Sequence, residues 1–281
     1  MTHKDIYTKF MIEYDKANVT SSYPSLTEYE VATVLDKAYN ALIAQKVTGN
    51  NVRRAPLEAD IKAVSDIQPL IQEKNATFGE VTNDVVTNRL KAQLDTKCLY
   101  FIEAYLKHQK AYTTGHGPKD GKEARLVLTK LVDHATASKF FSSASNMPWV
   151  KIPVTYIENN DLYVVYDPLN PPVIGENNGR VVFVKKPNVF VKDLSDLGLT
   201  LQERAQMAEL TYFDYKFIQS GTTGYDAAQQ TTADAKLVSA YTFECTDTMA
   251  EELISLAIAF ALENVESQRL NTKLNMRGLE A

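Results

Sequence analysis

The sequence predicts an α+β fold in which N-terminal and C-terminal helices form a helical bundle and a small β subdomain is inserted. Three observations lead there. Apolar residues recur at three- and four-residue steps near both ends of the chain. β-Branched and aromatic residues cluster between Met147 and Val191. The 281 residues, 44% hydrophobic and 23% charged, suffice for a substantial core and exclude a disordered or fibrous chain.

Residues 4–16 read as a short amphipathic helix with Ile6, Phe10 and Tyr14 on one face. The second helix starts in YPSLTEYE, where Ser25 and Glu28 have the S-x-x-E spacing of a capping box. Val31, Leu35, Ala38 and Leu42 then share a face, and Gly49-Asn50 ends the helix after about Lys46. Leu57, Ile61, Val64 and Ile67 suggest a third helix over 57–73, kinked or ended by Pro69. Residues 75–97 are polar and read as partly helical. Cys98, Leu99, Phe101, Ile102, Tyr105 and Leu106 suit a helix over 97–112; period alone also admits a buried strand. TTGHGPKDGKE, residues 113–123, is a loop.

Trp149–Ile157 and Leu162–Tyr166, joined by Glu158-Asn159-Asn160-Asp161, read as a hairpin. Residues 167–178 form a proline-bearing loop. Arg180–Val184 and Asn188–Val191 add strands on either side of Pro187, which favours an edge or a bend. Helical spacing returns over 200–219, with Thr200 and Glu203 as a second capping box and Leu201, Ala205, Ala208, Tyr212 and Tyr215 aligned. Ser220–Asp234 reads as a mobile loop or contact arm, and Tyr241–Cys245 as a last strand. Thr248 and Glu251 cap the final helix, whose broad face of Met249, Leu253, Leu256, Ala257, Phe260 and Ala261 marks it as the central core helix. Gln268–Ala281 reads as an exposed tail. The expected organisation is a mainly helical 1–146 with an insertion near 75–131, a β subdomain over 147–193, and helices and tail over 194–281 that complete the bundle.

No motif of catalysis or ligand binding emerges, so no catalytic, cofactor-binding or metal-binding residue is expected. The net charge is -5 and the densest basic cluster is Lys185-Lys186, which argues against tight sequence-independent DNA binding, because phosphate neutralisation needs clustered Lys and Arg. Gly115, Gly117 and Gly121 miss the P-loop spacing, and Glu123 stands where Ser or Thr must follow Lys122. Of His3, His108, His116 and His134, none lies four residues from another, and no C-x-x-C occurs, so a zinc site lacks ligands. Asp133 and His134 are adjacent and point apart, which leaves His134 a structural residue. Glu28 and Glu251 serve as caps rather than as acid/base partners, and Trp149 opens a strand as a core aromatic. Cys98 and Cys245 read as buried free thiols. No stretch approaches the roughly 20 apolar residues of a membrane span, and MTHKDIYTKF lacks an apolar signal core, so synthesis in a cytoplasm is expected. Fifteen tyrosines against one tryptophan tilt the reading toward protein contacts.

Four segments carry a resemblance: FMIEYDKANVTSSYPSLTEYEVATVLDKAYNALI, KLVDHATASKFFSSASNMPWVKIPVTYIENNDLYVVYDP, RVVFVKKPNVFV and TFECTDTMAEELISLAIAFALENVESQR. In that order they resemble the head-to-tail connector, or neck ring, proteins of tailed bacteriophages, those of crAss-like phages in particular. The matching positions are Leu26-Thr27-Glu28-Tyr29-Glu30 and Ala38; His134, Asn146 and Pro148; Lys185, Lys186 and Pro187; and Glu263, Asn264, Glu266 and Arg269. Residues 75–131 and 200–234 fall outside the resemblance and are expected to carry contacts with neighbouring copies. The resemblance implies a structural virion protein of the phage neck. Its copies would form a homo-oligomeric ring, a dodecamer, between the portal protein and adjacent ring or tail proteins. Genomic double-stranded DNA would pass through the channel in passing contact only; no active site, cofactor or membrane is implied. Two other classes stay open: a monomeric assembly adaptor or scaffold, and an enzyme with a non-local site around His134.

Overall fold

The computed structural model describes residues 1–16, 26–48, 61–81, 88–111, 122–142, 148, 152–168, 171–192 and 197–264. The chain divides into two compact units, Leu70–Lys186, and Met1–Pro69 together with Pro187–Ala281. Among the described residues there are seven α-helices and eleven strands in three sheets.

Leu70–Lys186 holds nine strands: β1 (Ile71–Ala76), β2 (Gly79–Glu80), β3 (Arg89–Gln93), β4 (Cys98–Ala111), β5 (Lys122–Leu128), β6 (Lys130–Leu131), β7 (Val154–Glu158), β8 (Asp161–Val165) and β9 (Gly179–Lys185). A four-stranded antiparallel sheet runs β1-β9-β4-β5, and a five-stranded sheet runs β2-β3-β8-β7-β6. Alternation gives each sheet an apolar face. Ala104, Leu106, Val181 and Phe183 of the first meet Leu90, Ala92, Leu162 and Val164 of the second in one buried cluster, so the two sheets form a sandwich. Asn159 and Asn160, both at positive φ (51° and 66°), turn β7 into β8 as a tight hairpin. The outer face of the five-stranded sheet is covered by α4 (His134–Ser142), whose Ala137 and Phe140 pack on Tyr156, Tyr163 and Val165.

The chain crosses from the first sheet to the second between β1 and β2, and Phe78 drops into the core at that corner. The Asn178 side chain accepts from Phe78 N (2.6 Å) and donates to Phe78 O (2.8 Å) and Val173 O (2.9 Å). A Cβ at Gly179 would lie 2.3 Å from the Phe78 ring and 2.8 Å from the Tyr105 carbonyl oxygen.

The other unit carries α1 (His3–Lys16), α2 (Glu28–Val47), α3 (Ile61–Ile67), α5 (Leu201–Ala205), the hairpin β10–β11 (Met207–Leu210, Tyr215–Phe217), α6 (Ala227–Tyr241) and α7 (Asp247–Asn264). Met249, Leu253, Ile254, Ala257, Ile258, Ala261 and Leu262 of α7 are all buried, and α1 and α2 both pack on this helix. Lys46 of α2 bridges Asp66 of α3 (2.8 Å) and Glu252 of α7 (2.7 Å). A second cluster joins Leu197 and Leu199 to Ala233, Leu237 and Tyr241 of α6, with Leu210 and Phe217 of the hairpin against it.

This architecture overturns the expected fold class. In place of a helical bundle with a small β insertion, strands dominate the core and the helices do not form a terminal bundle. Among the described residues of 75–97 and 97–112 the regular structure is strand, β1 to β4, and not helix. In β4 the register against β9 shifts twice, between Cys98 and Tyr100 and between Phe101 and Glu103. Each extra residue breaks the period of two, so the apolar positions mimic helical steps. β1 carries Glu73, Lys74 and Asn75 exposed at a sheet edge, which hides its alternation. The expected helix over 200–219 is one short turn followed by a hairpin, and much of the expected arm 220–234 belongs to α6, capped by Asp226. Residues 188–191 and 241–245 are not strands: the Phe190 and Val191 amides donate to Asp36, and Thr242 makes only an isolated bridge with Thr2.

Caps shift by one or two residues. Thr27 and Glu30, not Ser25 and Glu28, form the capping box of α2. Thr246, not Thr248, accepts from Met249 N at the start of α7. The Thr200–Glu203 box is present as read. Phe260 is half-buried beneath the Lys37 ammonium, 4.6 Å from its ring centre.

Two stability predictions follow from this packing. Gly179→Ala should destabilise the sandwich by about 1–3 kcal/mol or more, the usual range for overpacking, visible as a drop in melting temperature. In α7, Leu253→Ala should cost about 2–5 kcal/mol, while Phe260→Ala should fall short of the roughly 3–5 kcal/mol of a fully buried Phe; equal losses in chemical denaturation would contradict the placement of Phe260.

Candidate interaction surface

Register decides which residues of β4 and β5 face outward. Leu106 pairs with Val127 on the core side, whereas Tyr105 pairs with Leu128 and Lys107 with Leu126 on the outer side. The row continues across the sheet from Tyr105 to Arg180 and Asn75. Leu126 and Leu128 are 45% and 49% exposed. Tyr105 donates to Glu103 (2.8 Å), and Arg180 Nε lies 3.0 Å from Glu73. β5 is also the sheet edge, where the exposed Leu126 and Leu128 follow the charged Lys122, Glu123 and Arg125.

The helical unit has its own exposed aromatic patch. Tyr29, in the first turn of α2, is 55% exposed between Glu28 and Glu30 and lies 5.8 Å from the Tyr212 ring. Beside it Tyr7 stacks on Phe213 at 4.4 Å, and burial together with the Glu28 charge raises the Tyr7 pKa.

A cleft of about 320 Å³ opens in the sandwich over Ala92, Leu94, Val181 and Phe183, with Lys74 and Asp95 paired at its rim. Among the described residues no group of three or more His, Cys, Asp or Glu side chains gathers where a metal ion could sit.

The residues weighed from sequence are scattered. His134 opens α4 on the surface, edge-on to Tyr156 at 5.5 Å, with Nε2 3.7 Å from Glu158. Asp133 is held below the usual carboxylate range by its hydrogen bond with Thr136, a cap of the same helix. Cys98 and Cys245 are free; Cys245 is buried, its sulfur 3.2 Å from the Tyr39 hydroxyl. His108 is buried on β4, and burial lowers its pKa. Gly115, His116, Gly117, Gly121 and Trp149 lie outside the described residues. So do Ser25, Asn146 and the tail 268–281.

Sequence reasoning missed a partly buried polar cluster. Asp36 accepts from the Phe190 and Val191 amides, and Lys192 donates to Val189 O and Ala240 O over the Tyr241 ring. Burial brings the Lys192 pKa down to about 8. His3 is fully buried, 4.2 Å from the Phe190 ring, and neither ring nitrogen has a hydrogen-bond partner. Burial first and the Lys192 charge second lower its pKa to about 2. Leu126 and Leu128 left no separate signal, because only pairing with β4 reveals their outward face.

Neither a protein-family model nor a curated protein matches this chain. No described helix is long and apolar enough to cross a membrane.

His3 yields a pH prediction. Its pKa in the folded protein lies below the unfolded value of 6.5, so its contribution is intact above pH 6.5 and is lost as pH falls toward 2. The loss is about 1.4 kcal/mol per pH unit below 6.5. His3→Leu should therefore gain about 2–3 kcal/mol on the parent between pH 7 and about pH 4.5. A parent–variant difference that stays flat with pH in urea titrations would refute this.

Proposed function

We propose that this chain is a structural subunit of the neck of a tailed bacteriophage, one copy of a closed ring that joins the portal to the tail and lines the DNA channel. The observation that carries the reading is the outer face of the four-stranded sheet, with Leu126 and Leu128 exposed on its edge strand. Exposed leucines of this kind gain stability when a neighbour covers them. A heterologous contact between copies closes into a ring when its rotation closes. The resemblance in the Leu26–Glu30, Lys185–Pro187 and closing-helix segments supports the neck as the place. The proposed partners are other copies in a dodecamer, the portal protein and adjacent ring or tail proteins, with double-stranded DNA in passing contact. The proposed location is the virion.

Virion content tests this. The chain should be found by mass spectrometry in purified particles at the copy number of the portal. Interrupting its gene should give DNA-filled heads without tails. Particles that join head to tail normally without the chain would sink the reading.

A further inference from the structure

Charge is divided unevenly along the chain. Residues 70–186 carry 15 Lys and Arg against 12 Asp and Glu, a net of +3; the remainder carries 15 against 23, a net of -8. All of the positive excess lies in Cys98–Leu131, the stretch from β4 to β6, with six Lys and Arg against three Asp and Glu. That stretch also bears the exposed leucines: Lys107 pairs in register with Leu126, and Lys130 is exposed just beyond Leu128. The acidic unit presents Tyr29 and Tyr212 flanked by Glu28 and Glu30, both exposed. Beside the exposed leucines stand Lys107 and Lys130, with Glu103 hydrogen-bonded to Tyr105 on the same face; the other patch is acidic and aromatic. Tyrosine is enriched at protein interfaces because it adds contact area with few rotors and keeps a polar tip.

We propose that the outer face of β4 and β5 docks on the Glu28–Tyr29–Glu30 patch of a second copy of this chain, head to tail. The pairing rests on the ring reading above and names its contact. The two patches differ, so the contact is heterologous: each copy offers one of each and joins a neighbour on either side. Leu126 and Leu128 gain apolar cover against the tyrosines, and opposite charges set the register of the encounter.

Two variants of the full chain test it. The first, Leu126→Asp with Leu128→Asp, spoils the sheet face. The second, Glu28→Lys with Tyr29→Ala, spoils the patch and leaves the capping residue Glu30 in place. All four positions are exposed, and circular dichroism with thermal melting checks that each variant stays folded. By mass photometry and sedimentation the parent should self-associate at about 50 mM salt and weaken about tenfold or more at about 500 mM, as screening shortens the reach of the charges. Each variant alone should be monomeric. Mixed together they should form a dimer and nothing larger, because each retains one intact face.

A parent that stays monomeric up to about 100 µM at low salt overturns the pairing, as does a mixture that fails to dimerise or a variant that still assembles alone. If the parent assembles but the mixture does not dimerise, this contact is wrong and the neck reading still stands on virion content. A dimerising mixture with the chain absent from virions removes the neck and leaves the contact.

Discussion

Phe78 can enter the sandwich core only because Gly179 has no side chain to meet it. The ring occupies the space a Cβ would take, at the corner where the chain leaves one sheet for the other. The backbone that Phe78 brings inside must also be satisfied, since an unpaired buried amide or carbonyl costs about 1–3 kcal/mol. Asn178 supplies both partners from one carboxamide and holds Val173 with the same nitrogen. The sheets can therefore share a core without a buried polar orphan at their junction. Everything exposed on the outer faces takes its position from that corner.

The two outer faces of the sandwich have opposite fates. α4 closes one with Ala137 and Phe140 over a tyrosine pair, Tyr156 and Tyr163, stacked at 5.1 Å. The other is left to Tyr105, Lys107, Leu126 and Leu128. Both edge strands carry charge, Glu73 and Lys74 on β1 and Lys122, Glu123 and Arg125 on β5.

In the helical unit the buried charges do a different job. Lys46 meets two carboxylates from two other helices, and Thr246 holds the second oxygen of Asp66 at 2.9 Å. Such pairs add little net stability over an apolar core, yet removing one partner is costly. They penalise any arrangement of α2, α3 and α7 that separates them. Asp36 acts likewise on the backbone of residues 190 and 191, which is why that segment is not a strand despite its β-branched and aromatic composition.

Elements whose signals are local were legible before any tertiary contact was known. The three-to-four-residue apolar steps of α1, α2 and α7, the Thr200–Glu203 cap and the Asn159-Asn160 hairpin all depend on neighbours within a few residues. The tertiary structure alone decided what depends on distant partners. β4 became a strand because β9 and β5 pair with it, and its two bulges had disguised the period that would have said so. Asp226 capped α6 in a stretch whose Gly, Thr and Gln content reads as loop, because Ala233 and Leu237 find a hairpin to pack on. The candidate surface was illegible for the same reason. In Leu126-Val127-Leu128 the residues are chemically alike, and only the register against Lys107, Leu106 and Tyr105 sends the middle one inward and leaves the outer two exposed.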